Sequence, residues 1–186
     1  MIEVQFPDQS VRSYDRGVTP LDIAKSISEG LARNVLSAKY NGQIVEGTTP
    51  LLENGNIQLF TWSDQEGKTA FWHSSAHVLA QALIAIYPRC KLTIGPAIDN
   101  GFYYDADFGD HSLTEKDLLE IEIKFLEFSR QKFEFKMRNA TKSAALEYYE
   151  KENNPFKTEL IENLEDGTIT FCDHGNFTDL CRGGHI

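Results

Sequence analysis

Two pairs of side chains that could take part in chemistry share the same spacing. His73 and His77 are four residues apart in a segment of helical periodicity, so both would lie on one face of a helix. Cys181 and His185 are also four residues apart, and the two glycines between them allow a tight turn. Three imidazoles and one thiol have the composition of a metal site. Each pair alone is equally typical of solvated histidines or a small buried cysteine, whereas two matched pairs in one domain predict a shared polar pocket.

Three further side chains could belong to this pocket, but their spacing in the sequence does not decide between a pocket role and an ordinary surface or core role. Asp179 precedes Cys181 by two residues, so in a strand both would share a face, but Asp179 could equally be a solvated turn residue. Lys157 follows Asn154-Pro155, which we interpret as a chain break that leaves its direction undefined, and most lone lysines lie on the surface. Tyr104 belongs to an aromatic strand in which a core role is the commoner one. Spacing gives no role to four other residues: Cys90, Cys172, His111, which we place in a surface loop, and His174.

The first sixty residues carry strand signals around one helix. Thr19-Pro20 predicts a capped helix that fades near Gly30, and Asn41-Gly42 predicts a type I′ hairpin turn. Alternating apolar residues and turn chemistry predict strands over residues 2–6, 11–14, 38–40, 43–45 and 57–62. This order suggests a mixed sheet wrapped on the helix.

A polar stretch over residues 63–68 then marks a domain boundary. Beyond it the pattern predicts helices over residues 69–87, from Thr114 and from Thr141 to Tyr149. Strands are predicted over residues 92–94, 102–106 and 168–172, followed by a glycine-punctuated loop to the last residue. The sequence therefore predicts two domains, over residues 1–62 and 63–186.

The composition excludes some classes of protein. A formal net charge of −10 argues against a broad nucleic-acid-binding face, although a pocket could still take the end of a nucleic acid. No run of 18 apolar residues is present, so we expect no membrane partner. Three cysteines without framework spacing and no signal-peptide pattern at the start predict a cytoplasmic protein.

Three segments together resemble a known family. Residues 73–77, 95–105 and 179–185, in this order, resemble the editing domain of bacterial threonyl-tRNA synthetases, and residues 1–62 resemble the TGS domain that precedes it. The resemblance implies an α+β fold: a ubiquitin-like β-grasp (TGS) domain, then an α+β editing domain of the threonyl/alanyl type, truncated at its C-terminal end. Alanyl-tRNA synthetase editing domains share both pairs but lack the TGS domain, which favours the threonyl family.

This resemblance implies post-transfer editing, the hydrolysis of mischarged seryl-tRNA(Thr), in an N-terminal fragment that cannot itself charge tRNA. It implies that His73 and Lys157 are catalytic and that five residues bind substrate: His77, Tyr104, Asp179, Cys181 and His185. Editing would need no cofactor, and the alternative is zinc held by His73, His77, Cys181 and His185. The full-length enzyme would use ATP with Mg²⁺ and a zinc in its catalytic core. The implied partner is the aminoacylated 3′ end of threonine tRNA, and a homodimer would form through domains absent here.

Two other functions stay open at this point. The first is a freestanding zinc-dependent aminoacyl-tRNA deacylase. The second is a TGS-type regulatory or binding module, since TGS domains also occur in GTPases and stringent-response enzymes. The chain contains no GxxxxGK[ST] phosphate-binding loop, which counts against a nucleotide switch.

Overall fold

A five-stranded mixed sheet occupies the beginning of the chain. The computed structural model describes residues 1–186, and in it the first strands are β1 (Ile2–Gln5), β2 (Val11–Tyr14), β3 (Val35–Tyr40), β4 (Gln43–Val45) and β5 (Gly55–Thr61). The sheet order is β2-β1-β5-β3-β4, with β1 and β5 parallel and the other neighbours antiparallel. This is the predicted β-grasp.

Helix capping and turn-forming residues determine where the helix begins and where the hairpin turns in this domain. Helix α1 (Pro20–Ile27) begins at Thr19, whose side chain and that of Asp22 form the reciprocal capping box. Asn41 and Gly42 have φ values of 48° and 83°, as the predicted type I′ turn requires. Helix α2 (Glu29–Asn34) was not predicted, and it forms because Ser28 caps a new helix where the first one ends. The core beneath the sheet consists of Ile2, Val4, Ile23, Ala38, Tyr40, Leu51 and Ile57.

Helix α3 (Gln65–Ile86) begins four residues before the predicted start and carries both His73 and His77. The chain divides into two compact units within this helix. The first unit comprises Met1–Ser74 with Gly183–Ile186, and the second comprises Ser75–Arg182. None of the helices is long and apolar enough to cross a membrane.

The second unit combines the later part of α3 with three further helices, a three-stranded sheet and two short strand pairs. Its elements are β6 (Lys91–Leu92), β7 (Ala97–Ile98), β8 (Gly101–Phe102), β9 (Ala106–Asp107), α4 (Glu115–Gln131), β10 (Phe135–Asn139), α5 (Lys142–Lys151), α6 (Pro155–Glu162), β11 (Thr170–His174) and β12 (Phe177–Leu180). Strands β10, β11 and β12 form an antiparallel sheet in that order, and β6 pairs with β9 and β7 with β8. One core contains Leu83, Leu92, Ile121 and Phe177, and another contains Tyr149, Ile161, Ile169 and Phe171.

Three sequence expectations for this unit were wrong. The strand expected over residues 102–106 is divided, so Tyr104 lies between β8 and β9. Asn154-Pro155 does not break the chain but starts α6, because Asn154 caps the helix and proline suits its first turn. The expected C-terminal loop contains β12, which pairs with β11 around a turn at Gly175 with φ 59°. Strand β10 was also missed, although apolar and polar residues alternate from Phe133 to Arg138, which is a usable strand signal.

Candidate active site

Helix α6 buries Lys157 by starting just before it. Asn154 Oδ1 accepts a hydrogen bond from the Lys157 backbone N–H at 3.2 Å, which is the usual N-cap contact. The amide Nδ2 of Asn154 donates to the Leu92 carbonyl at 2.8 Å and so ties the start of α6 to β6. The side chain of Lys157 is only 3% exposed. A segment that looked like a break therefore directs a lysine into the interior of the second unit.

Strand β12 brings a carboxylate to the same place. Its alternation buries Phe177 and Asp179, and Cys181, two residues further on, is buried as well. Cys181 is held to β11 because its N–H donates to the Thr170 carbonyl at 3.0 Å and its carbonyl accepts from the Thr170 hydroxyl. Asp179 and Cys181 therefore project from one anchored strand end.

Three donors meet at one oxygen of the Asp179 carboxylate. Lys157 Nζ lies 2.7 Å from Oδ1, the Leu180 backbone N–H donates to it at 2.8 Å, and the Tyr149 hydroxyl donates at 3.2 Å. Leu180 N also donates to the Tyr149 hydroxyl at 2.7 Å. Since a carboxylate oxygen has two lone pairs, Oδ1 is saturated within the protein.

The other oxygen, Oδ2, is less fully occupied. The Tyr104 hydroxyl donates to it at 2.6 Å, while His77 Nδ1 lies 3.4 Å away. The long contact with His77 makes Oδ2 the oxygen at which a further cation or N–H donor could be accommodated. The Asp179 carboxylate thus contacts four side chains, those of Lys157, Tyr149, Tyr104 and His77.

The charges of this network follow from these contacts. Burial would raise the pKa of Asp179, but the Lys157 charge and the His77 contact hold it below its usual range, so the group stays ionised. Burial would lower the pKa of His77, but its bonds to Asp179 and Cys181 raise it to about 9. Burial and the negative Asp179 raise the pKa values of Tyr104 and Tyr149, so both phenols keep the protons that they donate.

Tyr104 is seated against a glycine. A Cβ added at Gly95 would lie 2.2 Å from Cδ2 of the Tyr104 ring, so the ring rests directly on the glycine backbone. Only a residue without a side chain lets the phenol approach this closely. Gly95 therefore determines whether the Tyr104 hydroxyl reaches Asp179.

Two of the four residues that could hold zinc, His77 and Cys181, belong to the second unit. His77 Nε2 and Cys181 Sγ are 3.3 Å apart. Nitrogen and sulfur ligands on one tetrahedral zinc ion would be about 3.6 Å apart. A carboxylate near the second ring nitrogen, as Asp179 is, also typically orients metal-binding histidines. The pair fits zinc, and it equally forms a hydrogen bond between imidazole and sulfur.

The other two predicted residues belong to the first unit. The rings of His73 and His185 are stacked with centroids 4.6 Å apart and an interplanar angle of 27°. His185 is fully buried, whereas His73 is half-buried. The Ile186 N–H donates to the Ser74 hydroxyl at 3.0 Å, which holds the last residues against α3. His185 is therefore enclosed by the first unit.

The sequence identified most of the polar network but missed several of its supports. The second unit brings together five predicted residues: His77, Tyr104, Lys157, Asp179 and Cys181. Tyr149 was missed because it occupies a helical position that reads as core. Asn154 carried a usable signal, since asparagine before proline is typical of a helix start as well as of a turn. His111, to which we gave no role, is exposed and contacts Asp117 at 3.5 Å on α4.

Comparison with known proteins adds a family relationship. The TGS domain model matches residues 2–61. The chain is 61% identical over its whole length to the threonine–tRNA ligase of Flavobacterium johnsoniae and covers 28% of that protein. It is 51% identical, again over its whole length, to the threonine–tRNA ligase of Cytophaga hutchinsonii, of which it covers 29%. The chain thus spans less than a third of the length of these relatives.

Proposed function

Because the chain belongs to the threonyl-tRNA ligase family and represents its N-terminal, TGS-containing region, we propose that residues 63–186 form an editing domain. Its reaction would be hydrolysis of the ester in seryl-tRNA(Thr). Threonylation itself would belong to the parts of the relatives that this chain does not span. The proposal therefore concerns removal of a wrong amino acid, and the partner would be the aminoacylated 3′ end of threonine tRNA in the cytoplasm.

A hydrolytic second site answers a chemical problem of such a ligase. Serine is threonine without one methyl group, and one methyl group in a binding pocket gives only about 1–3 kcal/mol of discrimination. A ligase that relies on binding alone would therefore charge serine too often. A site that hydrolyses the serine ester and rejects the threonine methyl raises the overall selectivity.

The observation that carries the proposal is the buried pair of Lys157 and Asp179, 2.7 Å apart. An ammonium held at a fixed position in a dry interior suits the stabilisation of the oxyanion that forms when water attacks an ester carbonyl. One of its N–H groups is directed to Asp179, and the others could donate to a water or to that oxyanion. Asp179 Oδ2 offers the α-ammonium of serine a carboxylate oxygen beside Tyr104.

The remaining steps of ester hydrolysis need a proton carrier and a shaped pocket. Water adds to the carbonyl carbon, the bond to the ribose oxygen breaks, and that oxygen takes up a proton. We assign the proton transfer to His73, since imidazole is the side chain that most often serves as a general acid or base. His77, Cys181 and His185 would shape the pocket and exclude the threonine methyl.

A zinc-dependent deacylase is the second candidate, and the spacing of His77 and Cys181 favours it. These two residues would hold the ion together with His73 and His185. A bound zinc supplies Lewis acidity and a water of lowered pKa. The protein residues would still have to bind serine and deliver a proton to the ribose oxygen.

Deacylation assays on a short acylated mimic of the tRNA 3′ end test the proposal. The 186-residue chain should hydrolyse the seryl ester and spare the threonyl ester. His73→Ala and Lys157→Ala should each slow hydrolysis. The loss in His73→Ala should be about 10²–10⁴-fold if the His73 proton is the one transferred. His111→Ala is the matched control and should leave the rate unchanged, because His111 lies outside the network. Circular dichroism would verify that each variant is folded.

Two outcomes would contradict the proposal. Equal hydrolysis of seryl and threonyl esters would rule out a hydrolytic site that selects the serine ester. Rates that are unaffected by both His73→Ala and Lys157→Ala would rule out the assigned chemistry, even if the selectivity for serine were present.

A further inference from the structure

A carboxylate of the β-grasp domain reaches the terminal histidine within the first unit. Glu46 Oε1 accepts a hydrogen bond from the Gly184 backbone N–H at 3.0 Å and lies 3.2 Å from His185 Nδ1. The side chain of His185 is 0% exposed and that of Glu46 is 12% exposed. Residues 139 positions apart in the sequence therefore share a nearly dry contact.

This contact determines which ring nitrogen of His185 carries a proton. An ionised carboxylate only accepts hydrogen bonds, so His185 Nδ1 must be the protonated donor. The hydrogen bond also sets the plane of the ring, which stacks on His73 with centroids 4.6 Å apart. One carboxylate thus controls the tautomer of His185 and the surface against which His73 rests.

The loop that carries Glu46 is itself well anchored. The Glu46 carbonyl accepts from the Thr49 N–H at 3.1 Å, and its Oε2 accepts from the Thr49 hydroxyl at 3.3 Å. The Gly47 carbonyl accepts from the Leu21 N–H at 2.9 Å at the start of α1. A carboxylate on such a loop can hold a partner in place without moving itself.

We propose that Glu46 is a positioning residue through which the β-grasp domain fixes the tautomer and orientation of His185 and thereby the ring of His73. The catalytic consequence rests on the proposed editing function, because Glu46 acts only through the two histidines. The β-grasp domain would then contribute to hydrolysis without contacting the reacting ester.

Nitrogen-15 NMR of the histidine side chains in the 186-residue chain tests the geometry directly. A spectrum of His185→Gln would assign the His185 signals. Wild-type His185 should be the Nδ1–H tautomer. Glu46→Gln keeps an acceptor oxygen and should keep this tautomer, whereas Glu46→Ala and the shorter Glu46→Asp should give a mixture. Glu53→Gln, an exposed substitution in the same domain, is the matched control and should leave the spectrum unchanged.

Kinetics of seryl-ester hydrolysis test the consequence. A displacement of a catalytic group by about 1 Å can cost about 10²-fold in rate. We therefore expect Glu46→Ala and Glu46→Asp to lower kcat by at least about 10-fold with little change in KM, and Glu46→Gln to retain most of the rate. A purely structural role of Glu46 would lower the apparent kcat only in proportion to the folded fraction. The kcat per folded molecule, with the folded fraction measured by circular dichroism, would then equal that of the wild-type chain.

The outcomes separate this inference from the proposed function. The positioning role would be overturned if Glu46→Ala and Glu46→Asp kept the wild-type tautomer of His185. It would also be overturned if both variants kept the wild-type kcat. An altered tautomer in these variants, together with a wild-type chain that hydrolyses no ester, would instead support the positioning role and refute the editing function.

Discussion

Lys157 Nζ lies 2.7 Å from Asp179 Oδ1, and the two side chains are only 3% and 4% exposed. Helix α6 contributes the lysine and strand β12 the aspartate. Transfer of both charges from water costs free energy that their mutual attraction barely offsets, so a buried pair of this kind is weak evidence for stability. Its value lies in holding an ammonium at one position in the second unit.

The stability of this pair should be strongly non-additive. Lys157→Met alone leaves Asp179 charged and buried, and we expect a loss of about 3–5 kcal/mol in the free energy of unfolding. Lys157→Met combined with Asp179→Asn removes both charges and should cost less than Lys157→Met alone. Urea denaturation would measure both values. The exposed pair Lys151 and Glu147 is the control, and Lys151→Met should cost at most about 1 kcal/mol. A double variant no more stable than Lys157→Met would argue that packing, not charge, dominates here.

Gly95→Ala should impair hydrolysis through Tyr104. The new methyl group would overlap the Tyr104 ring, so the ring must move and its hydroxyl should leave Asp179 Oδ2. We expect Gly95→Ala to raise KM for the seryl ester, and Tyr104→Phe to do the same. Because both act on one hydrogen bond, the double variant should be no worse than Gly95→Ala alone. Gly30→Ala, where an added Cβ would have space, is the control. Additive effects of Gly95→Ala and Tyr104→Phe would show that the glycine acts by another route.

The purified chain should contain little tightly bound zinc. The bonds of His77 to Asp179 and Cys181 raise its pKa to about 9, so near neutral pH both ring nitrogens hold protons that a metal must displace. Elemental analysis of protein prepared without chelator would measure the content. About one zinc per chain, lost in His77→Ala and retained in His111→Ala, would contradict this expectation and favour the zinc-dependent deacylase.

Acid should destabilise the wild-type chain partly through Glu46. Burial would raise the pKa of Glu46, but hydrogen bonds from His185 and Gly184 lower it from 4.5 to about 2. A depressed pKa contributes stability that is fully present above pH 4.5 and is lost as the pH falls through about 2. Glu46→Gln should therefore be less stable at pH 7 and lose less stability between pH 4.5 and 2. Urea denaturation at several pH values would measure this difference, with Glu53→Gln expected to follow the wild-type curve. Parallel curves for Glu46→Gln and wild type would mean that the carboxylate has an ordinary pKa.

The elements that were predicted correctly have local causes. Thr19 with Asp22 and Thr114 with Asp117 each form a capping box within four residues, and both helices begin there. Asn41-Gly42 needs only its own backbone preference to make the hairpin turn. The helical pair of His73 and His77 likewise follows from spacing within α3. Short-range hydrogen bonds and backbone preferences depend only on neighbouring residues. The sequence alone therefore determined these features.

The partners of the candidate site residues were decided only by the tertiary structure. Asp179 accepts hydrogen bonds from Tyr104, 75 residues away, and from Tyr149, 30 residues away. His185 donates to Glu46, which is 139 residues away. No spacing rule connects such positions, because strand pairing and helix packing bring them together. The direction of Lys157 also depended on whether Asn154 would find the Leu92 carbonyl and start a helix. Residue types and short spacings thus define which groups can react, whereas burial and long-range hydrogen bonds decide their charge, tautomer and partner, since these depend on atoms that meet only in the folded chain.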